Sequence, residues 1–386
     1  MDFNFTHFKK YLTETYFTHN PELAENLSET LVSPFVLQGS KSWLNQAQDI
    51  VSDLHKLSRS SSYVKQLSKE LPWEKVQPTP SLFSSLDVHV DENNDLKIIE
   101  VNTNASMYLI TEALYRFHRL KEFSEAKQDL IHSFEKTFSE KIKQNALCLI
   151  ADENMDKQAL TVGFAIFKHF FQQQWPLRCE VVDVNELSLK ENQIFWREQP
   201  VDMIYNRYCD FYLQHHSALR QAYLDNKTLI SPNPRGYALL ADKNRMLMWS
   251  EDFFKGLTEQ ENLPLPHLQK ALPKIYQVTD PEKFWQQRKK FFFKPPQSYG
   301  SKAVYNGKSM SRTMYERVIN DAYLAQETIP APKVDFNHQN EKITFKYDLR
   351  FYFFEDKVQL AVARLYQGQL TNAQTPFGGL APVKFL

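Results

Sequence analysis

Leu86-Asp87-Val88-His89-Val90-Asp91, then Glu92-Asn93-Asn94-Asp95, then Leu96-Lys97-Ile98-Ile99-Glu100-Val101-Asn102 is the stretch on which the reading of the chain turns. Alternating apolar and polar residues on either side of a polar turn cluster predict a β-hairpin. With Glu92–Asp95 as the loop, positions 87 and 100 are equidistant from its centre, so antiparallel pairing sets Asp87 opposite Glu100 on one face. Directly opposed Cβ atoms lie about 4.5–5.5 Å apart and like charges there are destabilising, so either the register differs or the pair holds a cation. Asn102 projects to the same side. Two carboxylates and an amide oxygen form a hard, all-oxygen set suited to Mg²⁺, whereas zinc would want His or Cys. The opposite face, Val88, Val90, Ile99 and Val101, is apolar and is expected to pack.

Outward from the hairpin, residues 1 to about 75 carry helical spacing, with Leu12, Phe17, Leu23, Leu27 and Leu31 in one part and Trp43, Ala47, Ile50, Leu54 and Leu57 in another. Met107 to about Gln144 is helical again and rich in Lys and Glu. The apolar run Ala146–Ala151, a helical stretch through Phe171 and short strands at 179–183 and 201–206 predict a small open α/β layer. Arg207 ends the last of these strands, where such layers bind ligands beyond the strand carboxyl ends. It can clamp a carboxylate bidentately or sit in an ordinary surface salt bridge. The segment Ser231–Gly236, punctuated by proline and glycine, marks a boundary.

Beyond about Lys290 the chain reads as strands with tight connections. Phe291-Phe292-Phe293-Lys294 is a buried strand ending on a lysine, which needs an anionic partner. In Phe345–Phe353, Lys346, Asp348 and Arg350 alternate with apolar residues, so one face packs and the other is a row of charges. A charge-protected edge strand is the competing reading. Of nine glycines in the chain, Gly378 and Gly379 sit side by side, which suggests a close backbone approach to a ligand.

Composition narrows the function classes. Forty-six basic residues balance 46 acidic ones over 386 residues, so no surplus charge draws the chain to nucleic acid or an anionic membrane. The scarce glycines leave no room for G-x-G-x-x-G or a Walker A loop. Cys148, Cys179 and Cys209 form no C-x-x-C, which argues against a disulfide framework or zinc site and for a reducing compartment. No stretch reaches the roughly 18 apolar residues of a membrane span and the N-terminus lacks a signal-like core. A cytoplasmic protein of two or three domains is expected.

Together these pieces resemble the ATP-grasp ligases. Asp87 followed by Glu100-Val101-Asn102-Thr103 matches the spacing of that family's magnesium motif and is similar to that of D-alanine:D-alanine ligases. Lys346-Tyr347-Asp348-Leu349-Arg350 and Leu370-Thr371-Asn372 are similar to the ATP-binding strands of the tubulin-tyrosine-ligase group. Lys243 and Lys294 resemble the two lysines that contact ATP phosphates, and Gln326-Glu327 the segment that meets adenine and ribose. The order is permuted, with Glu-x-Asn early in the chain, and this resembles the circularly permuted eukaryotic-type glutathione synthetases. Ser298 stands where those enzymes carry an acidic metal ligand, and only Gly300 remains of their Gly-rich loop.

The resemblance implies an α/β (α+β) ATP-grasp fold, circularly permuted, with N-terminal helices and a small open α/β layer. It implies a region 1–144 carrying the metal hairpin, a substrate layer at 145–232 and a nucleotide-binding region at 233–386. The cofactors are ATP and Mg²⁺, with metal on Asp87, Glu100 and Asn102 and nucleotide on Lys243, Lys294, Ser301, Lys302, Gln326, Glu327, Lys346 and Asp348. Arg350, Arg364 and Asn372 act on the transferring phosphoryl group, and Arg207, Ser106, Gly378 and Gly379 face substrate. The implied reaction joins a carboxylate to an amine or thiol through an acyl phosphate, on a small molecule or peptide, with release of ADP. A homodimer is one expected assembly; no nucleic acid or membrane partner is expected. The competing class is a non-catalytic nucleotide-binding scaffold, which predicts degraded metal ligands. Asp87, Glu100 and Asn102 are all present, which favours an enzyme.

Overall fold

Strands Ser84–Val90 and Leu96–Asn102 form the expected hairpin in the computed structural model, but with a different turn. Val90 pairs with Leu96, His89 with Lys97 and Val88 with Ile98, so the loop is Asp91–Asp95 rather than Glu92–Asp95. Asp91 closes it by accepting the backbone N–H groups of Asn93 and Asp95, each at 2.9 Å. That register alone would set Asp87 opposite Ile99. A bulge at Ile99 takes up one residue and returns Glu100 to the position facing Asp87. The two departures cancel at the acidic pair but not on the apolar side. Leu86, Val88, Val90, Leu96, Ile98 and Val101 are buried, whereas Ile99, expected among them, is half-buried and lines a cleft.

The structure describes residues 4–18, 21–68, 76, 78–155, 161–296, 304–372 and 374–386. The hairpin is one edge of the main sheet, antiparallel throughout, whose strands lie in the order Gly379–Ala381, Lys357–Tyr366, Glu341–Phe354, Ser84–Val90, Leu96–Asn102. Lys333–His338 pairs with the first half of Glu341–Phe354, and Ser84–Val90 pairs with the second half. Residues from both ends of the chain therefore share one sheet.

On the back of this sheet Leu86, Val88, Ile98, Leu349, Phe351, Ala361 and Ala363 share one core with helix Lys41–Arg59. That helix buries Trp43, Ala47, Ile50, Leu54 and Leu57, the stripe expected from its spacing, and starts at a Ser40 cap. The front is divided. Tyr352, Leu360 and Val362 share a second core with helix Tyr108–Phe117, with the Tyr108 and Tyr352 rings 5.3 Å apart. The remainder of the front carries the charged side chains.

Two further sheets flank this face. Leu229–Ser231, Met203–Asn206, Leu147–Asp152 and Arg178–Asp183 make the open parallel layer, with helix Thr161–Gln174 packed into its core. Ile275–Gln277, Leu324–Glu327, Phe291–Lys294 and Tyr305–Asn306 make an antiparallel sheet. Helix Arg312–Asn320 covers it, and Phe293, Tyr315, Val318 and Ala325 form a small core of their own.

The bulge makes a test of the register. Ile98→Ala should lower stability by about 2–4 kcal/mol in urea unfolding and Ile99→Ala by less than about 1 kcal/mol. Equal losses would contradict the bulged pairing.

Candidate functional site

The strand register decides what the charged face can do. Asp348 pairs with Arg364 and Arg350 pairs with Asp87 across adjacent strands, and Asp87 in turn faces Glu100. Arg350 donates from Nε to Asp87 Oδ1 at 2.8 Å and from Nη2 to Oδ2 at 2.7 Å, a bidentate clamp. Arg364 donates from Nη2 to Asp87 Oδ2 at 2.8 Å and from Nε to Asp348 Oδ1 at 2.5 Å. Ser85 Oγ donates to Asp87 Oδ1 at 3.1 Å, and Thr371 Oγ1 to Asp348 Oδ2 at 2.5 Å. Two guanidinium groups of the protein thus sit on Asp87, while among the described residues Glu100 is met by the Asn102 amide.

Asp87 is fully buried. Burial pushes its pKa up, but Arg350 and Arg364 outweigh this and hold it down at about 2. Burial likewise works against both guanidinium charges. Asp87 beside Arg350, and Asp348 and Asp87 beside Arg364, more than offset it, so both arginines stay firmly protonated.

A cleft of about 1250 Å³ opens over this row, bounded by the parallel layer and the antiparallel sheet. Glu100, Asn102, Lys243, Lys294, Gln326, Glu327, Lys346, Asp348, Arg350 and Arg364 all line it. Asn102 Nδ2 lies 3.2 Å from Glu100 Oε1, so these two expected ligands touch each other. Lys294 ends its buried strand as expected, and its Nζ donates to the Ile99 carbonyl at 3.2 Å, on the residue that the bulge displaces. Its pKa is lowered to about 8, chiefly by burial; Glu100 opposes the shift and Lys243 adds to it. Lys243 opens a short helix capped by Asp242. Lys346 Nζ donates to the Gly368 carbonyl at 2.6 Å, and Glu327 Oε1 accepts from the Tyr276 hydroxyl at 3.0 Å.

Other expected site residues are occupied differently. Asn372 spends its amide on its own loop, donating to the carbonyls of Gln367 and Leu370 and accepting from Gln374 N and Thr375 Oγ1. The residue holds a turn there and also lines the cleft. The glycine pair makes a close backbone approach to protein, and Gly379 also lines the cleft. Gly379 has φ +86°, and a Cβ there would lie 2.5 Å from the backbone of Thr30 and Leu31; at Gly378 it would lie 2.6 Å from the Leu365 carbonyl oxygen. Ser301 and Lys302, like Ser298 and Gly300, lie outside the described residues.

Arg207 and Ser106 both line the cleft. Arg207 is no surface residue: it is buried, donates from Nη1 to the Asn104 carbonyl at 2.8 Å and to the Asn104 side chain, and its Nε has no hydrogen-bond partner among the described residues. The Ser106 carbonyl accepts from the Tyr352 hydroxyl at 2.7 Å. Sequence reasoning passed over His89 and Asp152, which also line the cleft. His89 Nδ1 lies 3.0 Å from the Ile329 carbonyl, and burial lowers its pKa. Burial raises that of Asp152 to about 6, against the Glu153 backbone N–H and Arg207. Asp152 ends a parallel strand, the same positional signal that singled out Arg207.

No protein-family model matches the sequence, and no curated protein matches it. Solved structures do. A glutathione synthetase-like effector of Globodera pallida superposes with a TM-score of 0.62 at 12% identity, covering 99% of this chain and 96% of that one. A provisionally assigned gamma-glutamylcysteine synthetase of Methylobacillus flagellatus gives 0.50 at 10% identity, covering 88% and 87%. The fold is ATP-grasp-like.

Within that fold the donor set suits a polyanion better than a metal cluster. Among the described residues no group of three or more His, Cys, Asp and Glu is placed to hold a metal ion. Glu100 and Asn102 fit an ion that takes one or two protein oxygens and completes its shell with water and phosphate, as Mg²⁺ does.

Lys294 gives the cleft a pH dependence. Its pKa falls from 10.5 to about 8 on folding, so the unfolded chain binds more protons between those values. The cost of burying the charge is full below pH 8 and fades as pH rises to about 10.5. A bound polyphosphate prefers the charged form. ATP affinity should therefore drop roughly threefold to tenfold between pH 7.5 and 9.5, and Lys294→Met should flatten the profile. Calorimetric titration checks both, and a wild-type affinity that ignores pH would contradict the assignment.

Proposed function

We propose that the chain is an ATP-dependent ligase that joins a carboxylate to an amine, or to a thiol, through an acyl phosphate. The observation that carries this reading is the convergence of Lys243, Lys294, Arg350 and Arg364 on one cleft beside Glu100 and Asn102. Phosphoryl transfer needs positioning and charge neutralisation rather than a protein nucleophile. Mg²⁺ with ATP would supply the activated phosphoryl group and part of that neutralisation. Glu100 and Asn102 would hold the ion, Lys243 and Lys294 would bind phosphate oxygens, and Gln326 and Glu327 would meet the base and ribose. Arg350 and Arg364 would face the transferring group. Arg207 and Ser106, at the mouth of the parallel layer, would orient the substrate carboxylate.

The early hairpin paired with strand Glu341–Phe354 supports a circularly permuted arrangement. The division into a hairpin-bearing region at 1–144, a substrate layer at 145–232 and a nucleotide region at 233–386 belongs to the same proposal. So does a cytoplasmic setting, which the three free cysteines favour. Among the described residues no helix is long and apolar enough to cross a membrane. One observation favours the second reading, a non-catalytic nucleotide binder: Asp87, expected as a metal ligand, has its oxygens on arginines.

Purified protein with Mg²⁺ and ATP, challenged with a metabolite extract and separately with a protein fraction, should release ADP and phosphate with one of the two pools. Glu100→Gln should reduce turnover at least about a hundredfold while leaving the unfolding midpoint within a degree or two. AMP release would exclude the acyl-phosphate route, and ATP binding without turnover on either pool would favour the binder.

A further inference from the structure

We infer that Asp87 is a positioning residue for Arg350 and Arg364 and gives no oxygen to a metal ion. The inference rests on the ligase reading only for what the arginines finally hold. An ionised carboxylate offers about four lone-pair sites. At Asp87, Oδ1 accepts from Arg350 Nε and Ser85 Oγ, and Oδ2 accepts from Nη2 of both arginines. Asn102 Nδ2 stands a further 3.4 Å from Oδ2. The carboxylate is saturated by donors, and its residue is wholly buried. A metal ion could reach it only by displacing a guanidinium that is itself four-fifths or more buried and would then be left unpaired.

The same bonds fix what the arginines present. Arg350 uses Nε and Nη2 on Asp87, and Arg364 uses Nε on Asp348 and Nη2 on Asp87. The Nη1 group of each makes no hydrogen bond among the described residues, and both arginines line the cleft. Each arginine, fixed through Nε and Nη2, thus keeps its Nη1 group for an oxyanion in the cleft. Asp87 acts through the two arginines rather than on the substrate. Any divalent ion then depends on Glu100 and Asn102 across the hairpin.

The test reads the clamp and the metal separately. In arginine-labelled protein the Arg350 Nε–H resonance, identified by its loss in Arg350→Lys, should be protected from solvent exchange and remain so on adding Mg²⁺ with ATP. Asp87→Asn should abolish that protection, while the Arg364 Nε–H, bonded to Asp348, persists. Mn²⁺ affinity, measured by electron spin resonance with ATP present, should change less than about twofold in Asp87→Asn and fall at least about tenfold in Glu100→Gln. Loss of the wild-type Arg350 signal on adding Mg²⁺ and ATP, or a Mn²⁺ loss in Asp87→Asn equal to that in Glu100→Gln, would overturn the inference. If Asp87→Asn does not fold, the wild-type titration decides alone. A wild-type protein that binds no Mn²⁺ would refute the metal in the ligase reading, and a protected Arg350 signal would still support the clamp.

Discussion

Asp87 is a carboxylate without solvent, and the charged face is arranged around that constraint. A buried ionised group is tolerated only when paired and hydrogen-bonded, and both arginines that pair with Asp87 come from strands more than 250 residues away in the chain. The pairing demands that three strands hold register at once: Arg350 beside Asp87 on one boundary, Asp348 beside Arg364 on the next. A slip of one residue in either would turn these side chains into the apolar core on the back of the sheet. Breaking one member of such a set costs about 3–5 kcal/mol because the other is left charged and alone. The network therefore fixes the registry of the sheet as much as it furnishes a site.

How the sequence conveyed this is instructive in its particulars. Alternation from Phe345 to Phe353 announced a packed face and a charged face, and both exist, because a period of two is enforced by the backbone alone. The parallel layer and the Trp43–Leu57 stripe were legible for the same reason, since burial follows periodicity. The facing of Asp87 and Glu100 was legible only through compensation: a five-residue loop and the bulge at Ile99 undo each other. A bulge has no local signature here, so Ile99 was assigned to the wrong face and Ile98 overlooked. Whether Arg364 would meet Asp348 depended on the hairpin register, which alternation does not determine. Scarce glycine at 378 and 379 signals close approach without naming the neighbour: Gly379 lies against the backbone of Thr30 and Leu31, and Gly378 against the Leu365 carbonyl.

The same bulge links the sheet to the lysine opposite. A residue expelled from a ladder leaves its carbonyl available, and Lys294 takes the Ile99 carbonyl while its ammonium stays largely desolvated near Lys243. The antiparallel sheet that carries Lys294 thereby touches the hairpin that carries Glu100. His89, on the same face, holds the connection between that sheet and strand Lys333–His338 through the Ile329 carbonyl. The main sheet and the parallel layer share two apolar cores, whereas the antiparallel sheet has a small core of its own and reaches the hairpin through the polar bond of Lys294.

Rigidity also bears on which of the two functional readings the geometry favours. A protein that merely retains a nucleotide gains affinity from any cation near the phosphates, and flexible lysines on the rim suffice for that. Lowering a barrier asks for donors already oriented toward charge that develops later, since reorganising them during reaction would consume the gain. Arg350 is held by both oxygens of Asp87 and Arg364 by Asp87 and Asp348 together, at a desolvation cost the fold must meet elsewhere. That cost adds nothing to simple retention of ATP, because the carboxylates that fix the arginines also cancel much of their charge. It is intelligible when orientation matters more than net attraction, and orientation is what transfer of a phosphoryl group requires.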